Sequence, residues 1–260
     1  MENIQNMHIQ IVEWLNEIVP IIKDSLAAEV TVETKLNRKD LVTNIDKMVQ
    51  DFLVQKITAA YPTHSIVGEE SKELTISDNR NHVWVIDPID GTANFVKQQD
   101  HFCMLLAYYE NNSGKLGYIF DVMNDDLYYA IENKGAYLNG QRLSSPKDIS
   151  LQDGLVSADV RDWIGQECLG RLAEESFDIR YFGCGGIDSI HVMTGKFAAF
   201  ATSKSGPWDL AAQLVFAKEL GLKASRFDGR ELHYLDHGDW VLSNKGAYDD
   251  LINILKAWNC

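Results

Sequence analysis

The chain has 260 residues, with 24 Lys and Arg against 38 Asp and Glu, for a formal net charge of −14. Its 45% hydrophobic and 24% charged residues are those of an ordinary globular protein, and with 18 Gly and 4 Cys they exclude a disordered, collagen-like or disulfide-scaffold chain. The acidic balance, without any Lys/Arg cluster, argues against nucleic acid or an anionic membrane surface as partner. No apolar run approaches the roughly 20 residues of a membrane span. The N-terminus lacks a basic-then-apolar leader, and Cys103, Cys168, Cys184 and Cys260 form no CxxC pair. Reduced thiols and a cytoplasmic location are therefore expected.

In chain order, Ile4, Met7, Ile11, Leu15, Ile18 and Ile22 recur at helical steps and predict a helix over 3–28, with Pro20 as a kink. Residues 30–42 read as a short hairpin or mobile loop, flanked by Lys35 and Lys39. A second helix is expected over 44–60, stopped by Tyr61-Pro62. Strands follow at 65–67, 83–86, 102–109, 115–121 and 126–132, with tight turns at Asn111–Gly114, Asn124-Asp125 and Asn139-Gly140. Beyond about residue 150 the pattern alternates: strands at 155–158, 179–182 and 197–201, and helices at 162–175, 186–195, 208–220 and 247–258. This reads as an α+β half over 1–145 and an α/β half over 146–260, with the polar segment Ser144–Asp153 as the seam.

Chemistry concentrates in Trp84-Val85-Ile86-Asp87-Pro88-Ile89-Asp90-Gly91-Thr92. A hydrophobic strand is expected to end at Asp87, with Pro88 stopping its ladder and Gly91 permitting a tight turn. Asp87 and Asp90 then converge, with the Ile89 carbonyl nearby. A few carboxylates and a carbonyl are what a hard cation such as Mg²⁺ takes. The Gly91 and Thr92 amides would open a helix, where a phosphate sits well. The plain alternative is a strand-ending turn with two solvated acids. Two further acids weigh against it. Glu69, in Gly68-Glu69-Glu70-Ser71, also lies just past a strand, and Asp209, in Gly206-Pro207-Trp208-Asp209-Leu210-Ala211-Ala212, opens a helix.

These segments, with Lys39-Asp40-Leu41-Val42-Thr43-Asn44-Ile45-Asp46, resemble the motifs of the inositol monophosphatase family, in order from Lys35 to Gly221. That family belongs to the lithium-sensitive, Mg²⁺-dependent phosphatase superfamily that includes fructose-1,6-bisphosphatases. The resemblance implies a layered αβαβα sandwich, a homodimer, two or three Mg²⁺ per active site and a small phosphorylated metabolite as substrate. It implies a first Mg²⁺ on Glu69, Asp87 and the Ile89 carbonyl, and a second on Asp87, Asp90 and Asp209. A third, weaker ion would lean on Glu69. Thr92 and Asp46 would orient and deprotonate the attacking water. Asp90, Gly91, Thr92, Gly185, Thr202 and Asp209 would meet the substrate.

Such cations neutralise phosphoryl oxygens and acidify a water for in-line attack. One departure concerns substrate. Inositol-hydrolysing members carry an acid a few positions before the Trp-Asp pair, where this chain has Thr202. The 2′-phosphate of NADP and fructose-1,6-bisphosphate therefore stand beside inositol-1-phosphate, and Lys204 or Arg180 would favour a second phosphate. A regulatory protein acting with the transcription or RNA-processing machinery is the non-enzyme alternative. Cys184 beside the site, the Asp236-His237-Gly238-Asp239 loop and the Tyr128-Tyr129 pair read as packing, a solvated loop and alternating strand faces.

Overall fold

The structure, a computed structural model, describes residues 3–27, 31–34, 41–70, 81–160 and 163–258. Lys35, Lys39, Asp40 and Ser71 of the sequence motifs lie outside the described residues. Helix α1 (Ile4–Ser25) starts at Asn3, whose side chain accepts from the Asn6 amide at 3.2 Å. Its stripe of Met7, Ile11, Leu15, Ile18 and Ile22 is buried, and Pro20 lies inside the helix. Strands β1 (Val32–Thr34) and β2 (Leu41–Thr43) pair antiparallel. Thr43 then caps α2 (Asn44–Ala60), with Asp46 closing the reciprocal half of a capping box.

Strands β3 (Ser65–Gly68) and β4 (His82–Asp90) lead to α3 (Thr92–Lys97). Then come β5 (Cys103–Glu110), β6 (Ser113–Asp121), β7 (Asp126–Ile131), β8 (Gly135–Leu138) and β9 (Gln141–Arg142). The seven strands β3 to β9 form one sheet in sequence order, parallel at β3–β4 and antiparallel thereafter. The two-residue period decides what each face buries. Trp84, Ile86, Met104, Leu106 and Tyr108 pack with the stripes of α1 and α2. Val83, Val85, Cys103, Leu105, Ala107 and Tyr109 face the other way. Tyr128 and Tyr129 likewise point to opposite faces.

The second half comprises β10 (Leu155–Ala158), α4 (Glu167–Glu175), β11 (Asp178–Arg180), α5 (Gly185–Met193) and β12 (Ala199–Thr202). A 3₁₀ turn (Pro207–Asp209), α6 (Ala211–Leu220), β13 (Lys223–Ser225), β14 (Trp240–Ser243) and α7 (Lys245–Leu255) follow. Its five-stranded sheet has the order β11-β10-β12-β14-β13, with β14 antiparallel to both neighbours. Helices α5 and α6 fill the space between the sheets: Ile187, Ile190, Val215 and Phe216 meet Val85 and Leu105 on one side and Phe200, Trp240 and Leu242 on the other. Residues of α4 and α7, among them Leu172, Leu251 and Ile254, cover the outer face of the small sheet. The layers are thus α1–α2, large sheet, α5–α6, small sheet and α4–α7, the αβαβα sandwich the resemblance implies.

The local differences have physical causes. The helix expected from residue 162 begins at Glu167, after Gly165 takes a left-handed φ of +87°. The sequence carries no signal for strands β13 and β14, because runs of three and four residues are too short to display a period and gain their partners only across the sheet. Among the described residues no helix is long and apolar enough to cross a membrane.

Candidate active site

Strand β4 does not stop at Pro88, as the sequence suggested. It runs to Asp90, and its register against β5 shifts between Asp87 and Asp90. Proline has no N–H to give a ladder and is accommodated at such an irregularity. The shift brings Asp87 and Asp90 to one side. Asp209 joins them from the 3₁₀ turn, held by the Gly206 amide donating to its Oδ2 at 2.6 Å. Asp209 thus ends that turn, and the long helix opens only at Ala211. Carboxylate oxygens of Asp87, Asp90 and Asp209 lie within 4.8 Å of one another. Glu69 arrives at the end of β3, its amide donating to the Ile86 carbonyl at 3.2 Å and its side chain hydrogen-bonded to Asp87.

This cluster is buried at Asp87 and Asp90, half-buried at Glu69 and Asp209, and crowded with like charge. Asp87 is 2% exposed; burial, then the carboxylates of Glu69, Asp90 and Asp209, hold its carboxyl well above the ordinary range. Burial also raises Asp90, against hydrogen bonds donated to its Oδ2 by the Gly186 amide at 2.5 Å and the Cys184 thiol at 3.2 Å. Four acids that repel one another, all offering hard oxygen, fit a divalent cation such as Mg²⁺, which offsets the repulsion.

Beside the cluster stands a hydroxyl–carboxylate pair. Thr92 Oγ1 is 3.1 Å from both Asp46 Oδ1 and the Ile89 carbonyl. Asp46 Oδ2 accepts from the Thr43 amide at 2.9 Å and from the Thr43 hydroxyl. Asp46 is fully buried, and burial raises its pKa despite these bonds. Gly91, at φ +85°, makes the turn into α3, and a Cβ there would meet Cys184 Cβ at 3.0 Å and the His101 carbonyl at 3.2 Å.

A cleft of about 150 Å³ opens from Asp90 and Asp209 toward the small sheet, lined there by Asp159, Tyr181, Gly185, Asp188, Thr202 and Lys204. Of the two basic candidates, Lys204 lines this cleft, whereas Arg180 is exposed and donates to Asp178 at 2.5 Å. Sequence reasoning missed Asp188. It is 1% exposed, accepts from Ser157 Oγ at 2.5 Å, and is pushed up to about 7 by burial and by the charge of Asp90. Its signal was faint, an acid in the first turn after Gly183-Cys184-Gly185-Gly186. Asp159, just past β10, was missed as well. The Asp236–Asp239 loop is not plainly solvated: Asp236 and Asp239 pair with Arg226 at 3.2 and 3.7 Å, and His237 packs edge-on against Trp208.

A sequence model of the inositol monophosphatase family matches residues 3–257. The chain belongs to the inositol monophosphatase family. An inositol-1-monophosphatase of Bacillus subtilis is 34% identical over 242 residues, 91% of each chain. A solved IMPase/NADP phosphatase complexed with Mg²⁺ and phosphate is 36% identical, with a TM-score of 0.92 over 99% of this chain and 98% of that one. A staphylococcal inositol monophosphatase-1, solved as an inhibitory complex soaked in LiCl, is 35% identical with a TM-score of 0.92, covering 98% and 96%. The layered sandwich is this family's fold, and the chain is a phosphatase of the family.

Proposed function

We propose that the protein hydrolyses small phosphate monoesters, with inositol-1-phosphate and the 2′-phosphate of NADP as its substrates, on Mg²⁺ held by Glu69, Asp87, the Ile89 carbonyl, Asp90 and Asp209. The observation that carries this reading is the convergence of Asp87, Asp90 and Asp209 within 4.8 Å, next to the Thr92–Asp46 pair. Bound there, Mg²⁺ would supply charge for the phosphoryl oxygens and acidity for a coordinated water.

The chain's own residues do the rest. Thr92 Oγ1 accepts the proton of the attacking water as its own hydrogen passes to Asp46 Oδ1, 3.1 Å away. Burial raises the proton affinity of Asp46, which suits it to receive that proton. The amides of Gly91 and Thr92 would receive the phosphoryl oxygens, as the resemblance implies, and the cleft past Asp90 and Asp209 would take the alcohol side of the ester. Gly185 leaves room there, since a Cβ would come no closer than 3.6 Å to a neighbour, the Phe200 ring.

Two features support an NADP-type substrate beside inositol-1-phosphate. Thr202 stands where inositol-hydrolysing members have an acid, and Lys204 lines the same cleft. The test is phosphate release with Mg²⁺ from inositol-1-phosphate, NADP and fructose-1,6-bisphosphate, ranked by kcat/KM. Turnover of the first two above the third supports the reading. A preference for fructose-1,6-bisphosphate, or no turnover of any of them, rejects it.

A further inference from the structure

Asp90 has a second set of neighbours besides Asp87 and Asp209. Its Oδ2 lies 3.2 Å from Cys184 Sγ and 3.6 Å from Cys103 Sγ, and the two sulfurs are 3.6 Å apart. Cys103 opens β5 and Cys184 precedes α5; both are buried free thiols. Gly186 makes the space. A Cβ on it would lie 2.4 Å from Cys103 Sγ and 3.0 Å from Asp90 Oδ2.

A tetrahedral Zn²⁺, with Zn–S of about 2.3 Å and Zn–O of about 2.0 Å, has S···S edges of about 3.8 Å and S···O edges of about 3.5 Å. The observed triangle matches one face of that tetrahedron to a few tenths of an ångström. A fourth vertex is left for water from the cleft, which Asp90 and Cys184 also line. The charges balance as well. Both thiols donate to the carboxylate, and one divalent cation entering as two thiol protons leave keeps the net charge of this buried group constant. Two thiolates favour a soft cation over Mg²⁺.

We propose that Asp90, Cys103 and Cys184 form a binding site for a thiophilic divalent cation such as Zn²⁺ or Cd²⁺, and that filling it withdraws Asp90 from Asp87 and Asp209 and stops turnover. The inhibition rests on the phosphatase reading above; the binding does not.

Cd²⁺ titration of the reduced, metal-free protein, read by thiolate-to-Cd²⁺ charge-transfer absorption in the ultraviolet, tests the site directly. The wild type takes up one equivalent per chain with this absorption. Cys103→Ala and Cys103→Ser each weaken binding by at least about tenfold, the lower bound for losing even an outer-shell partner. Cys168→Ala, altered in the distant α4 layer, binds as the wild type does. In the presence of Mg²⁺, Cd²⁺ abolishes phosphate release by the wild type, a chelator restores it, and Cys103→Ser stays active at the same Cd²⁺ concentration. Absence of the absorption, or equal titration in the Cys103 variants, overturns the site. Inhibition reversed by a reductant but not by a chelator also overturns it, since that marks a Cys103–Cys184 disulfide. An untreated enzyme that releases no phosphate overturns the phosphatase reading instead, and the absorption titration still decides the site.

Discussion

Thr92 Oγ1 donates to Asp46 Oδ1 at 3.1 Å and so ties the start of α3 to the first turn of α2. The other oxygen of Asp46 closes the capping box with Thr43. One carboxylate therefore fixes a helix start and orients a hydroxyl beside the acid cluster. If this pair relays the proton of the attacking water, Thr92→Ala lowers kcat by about 10²–10⁴ and leaves KM nearly unchanged. Asp46→Asn does the same, and the double variant loses no more than either single one. Multiplied losses in a steady-state comparison of the three would contradict a shared role.

Metal and stability are linked at Asp87. Its carboxyl is buried among Glu69, Asp90 and Asp209, so the metal-free protein bears their mutual repulsion. On the proposed reading, Asp87→Asn removes part of that repulsion and one of the cation's ligands at once. The variant is expected to have a higher Tm than the wild type in EDTA and to gain little from Mg²⁺. The wild type gains about 2.7 kcal/mol at an Mg²⁺ concentration of 100 Kd. Equal Mg²⁺ shifts in both proteins, by differential scanning calorimetry, would place the cation elsewhere.

Asp188 sets a pH dependence in the metal-free protein. Burial, and the charge of Asp90, raise it from 3.8 to about 7. Between these values the folded state holds a proton that the unfolded state has released. Stability is therefore full below about pH 4 for this group and is lost as the pH rises through about 7, on the order of 4 kcal/mol in all. Asp46, Asp87 and Asp90, also raised, act in the same direction. Asp188→Asn should flatten the fall in Tm between pH 5 and 7.5 in EDTA. A fall as steep as the wild type's would remove Asp188 from the account.

How much was legible in the sequence follows from how local each signal was. The strand leading to Asp87, and the acids Glu69, Asp90 and Asp209, could be read because each sits at an element boundary marked by Pro or Gly. The stripes of α1 and α2 showed which of their faces are buried, and the unbroken apolar run of β5 had the length of a strand, one whose residues are buried on both faces of the sheet. Three things were not legible. The passage of β4 through Pro88 depends on pairing with β5. Strands β13 and β14 are three and four residues long and are made by each other and by β12. Asp188 lines the cleft and accepts from Ser157, on β10 and 31 positions away, a neighbour that only the tertiary fold supplies.

Substrate choice is expected to turn on Thr202. It is 8% exposed, lines the cleft, and spends its hydroxyl on the Lys204 carbonyl at 3.1 Å. Thr202→Glu would offer a carboxylate to a sugar hydroxyl. It should raise the kcat/KM ratio of inositol-1-phosphate to NADP by about tenfold or more, since a site that hydrogen-bonds a hydroxyl discriminates strongly. An unchanged ratio would remove Thr202 as the selector.

The close fit at Gly186 gives a further test of how Asp90 is held. An added Cβ meets Cys103 Sγ at 2.4 Å and Asp90 Oδ2 at 3.0 Å. Gly186→Ala should cost about 1–3 kcal/mol by overpacking and lower kcat by displacing Asp90. Combining it with Cys103→Ala should restore part of both losses. No restoration, in chemical denaturation and phosphate release, would mean that the clash is relieved elsewhere.

The most direct measurement is phosphate release from inositol-1-phosphate across an Mg²⁺ titration, for the wild type and Asp87→Asn side by side. Release that rises with Mg²⁺ in the wild type and stays at background in a folded Asp87→Asn is the predicted result. Equal release from both proteins, or release indifferent to Mg²⁺, would contradict hydrolysis on a cation held by Asp87, Asp90 and Asp209.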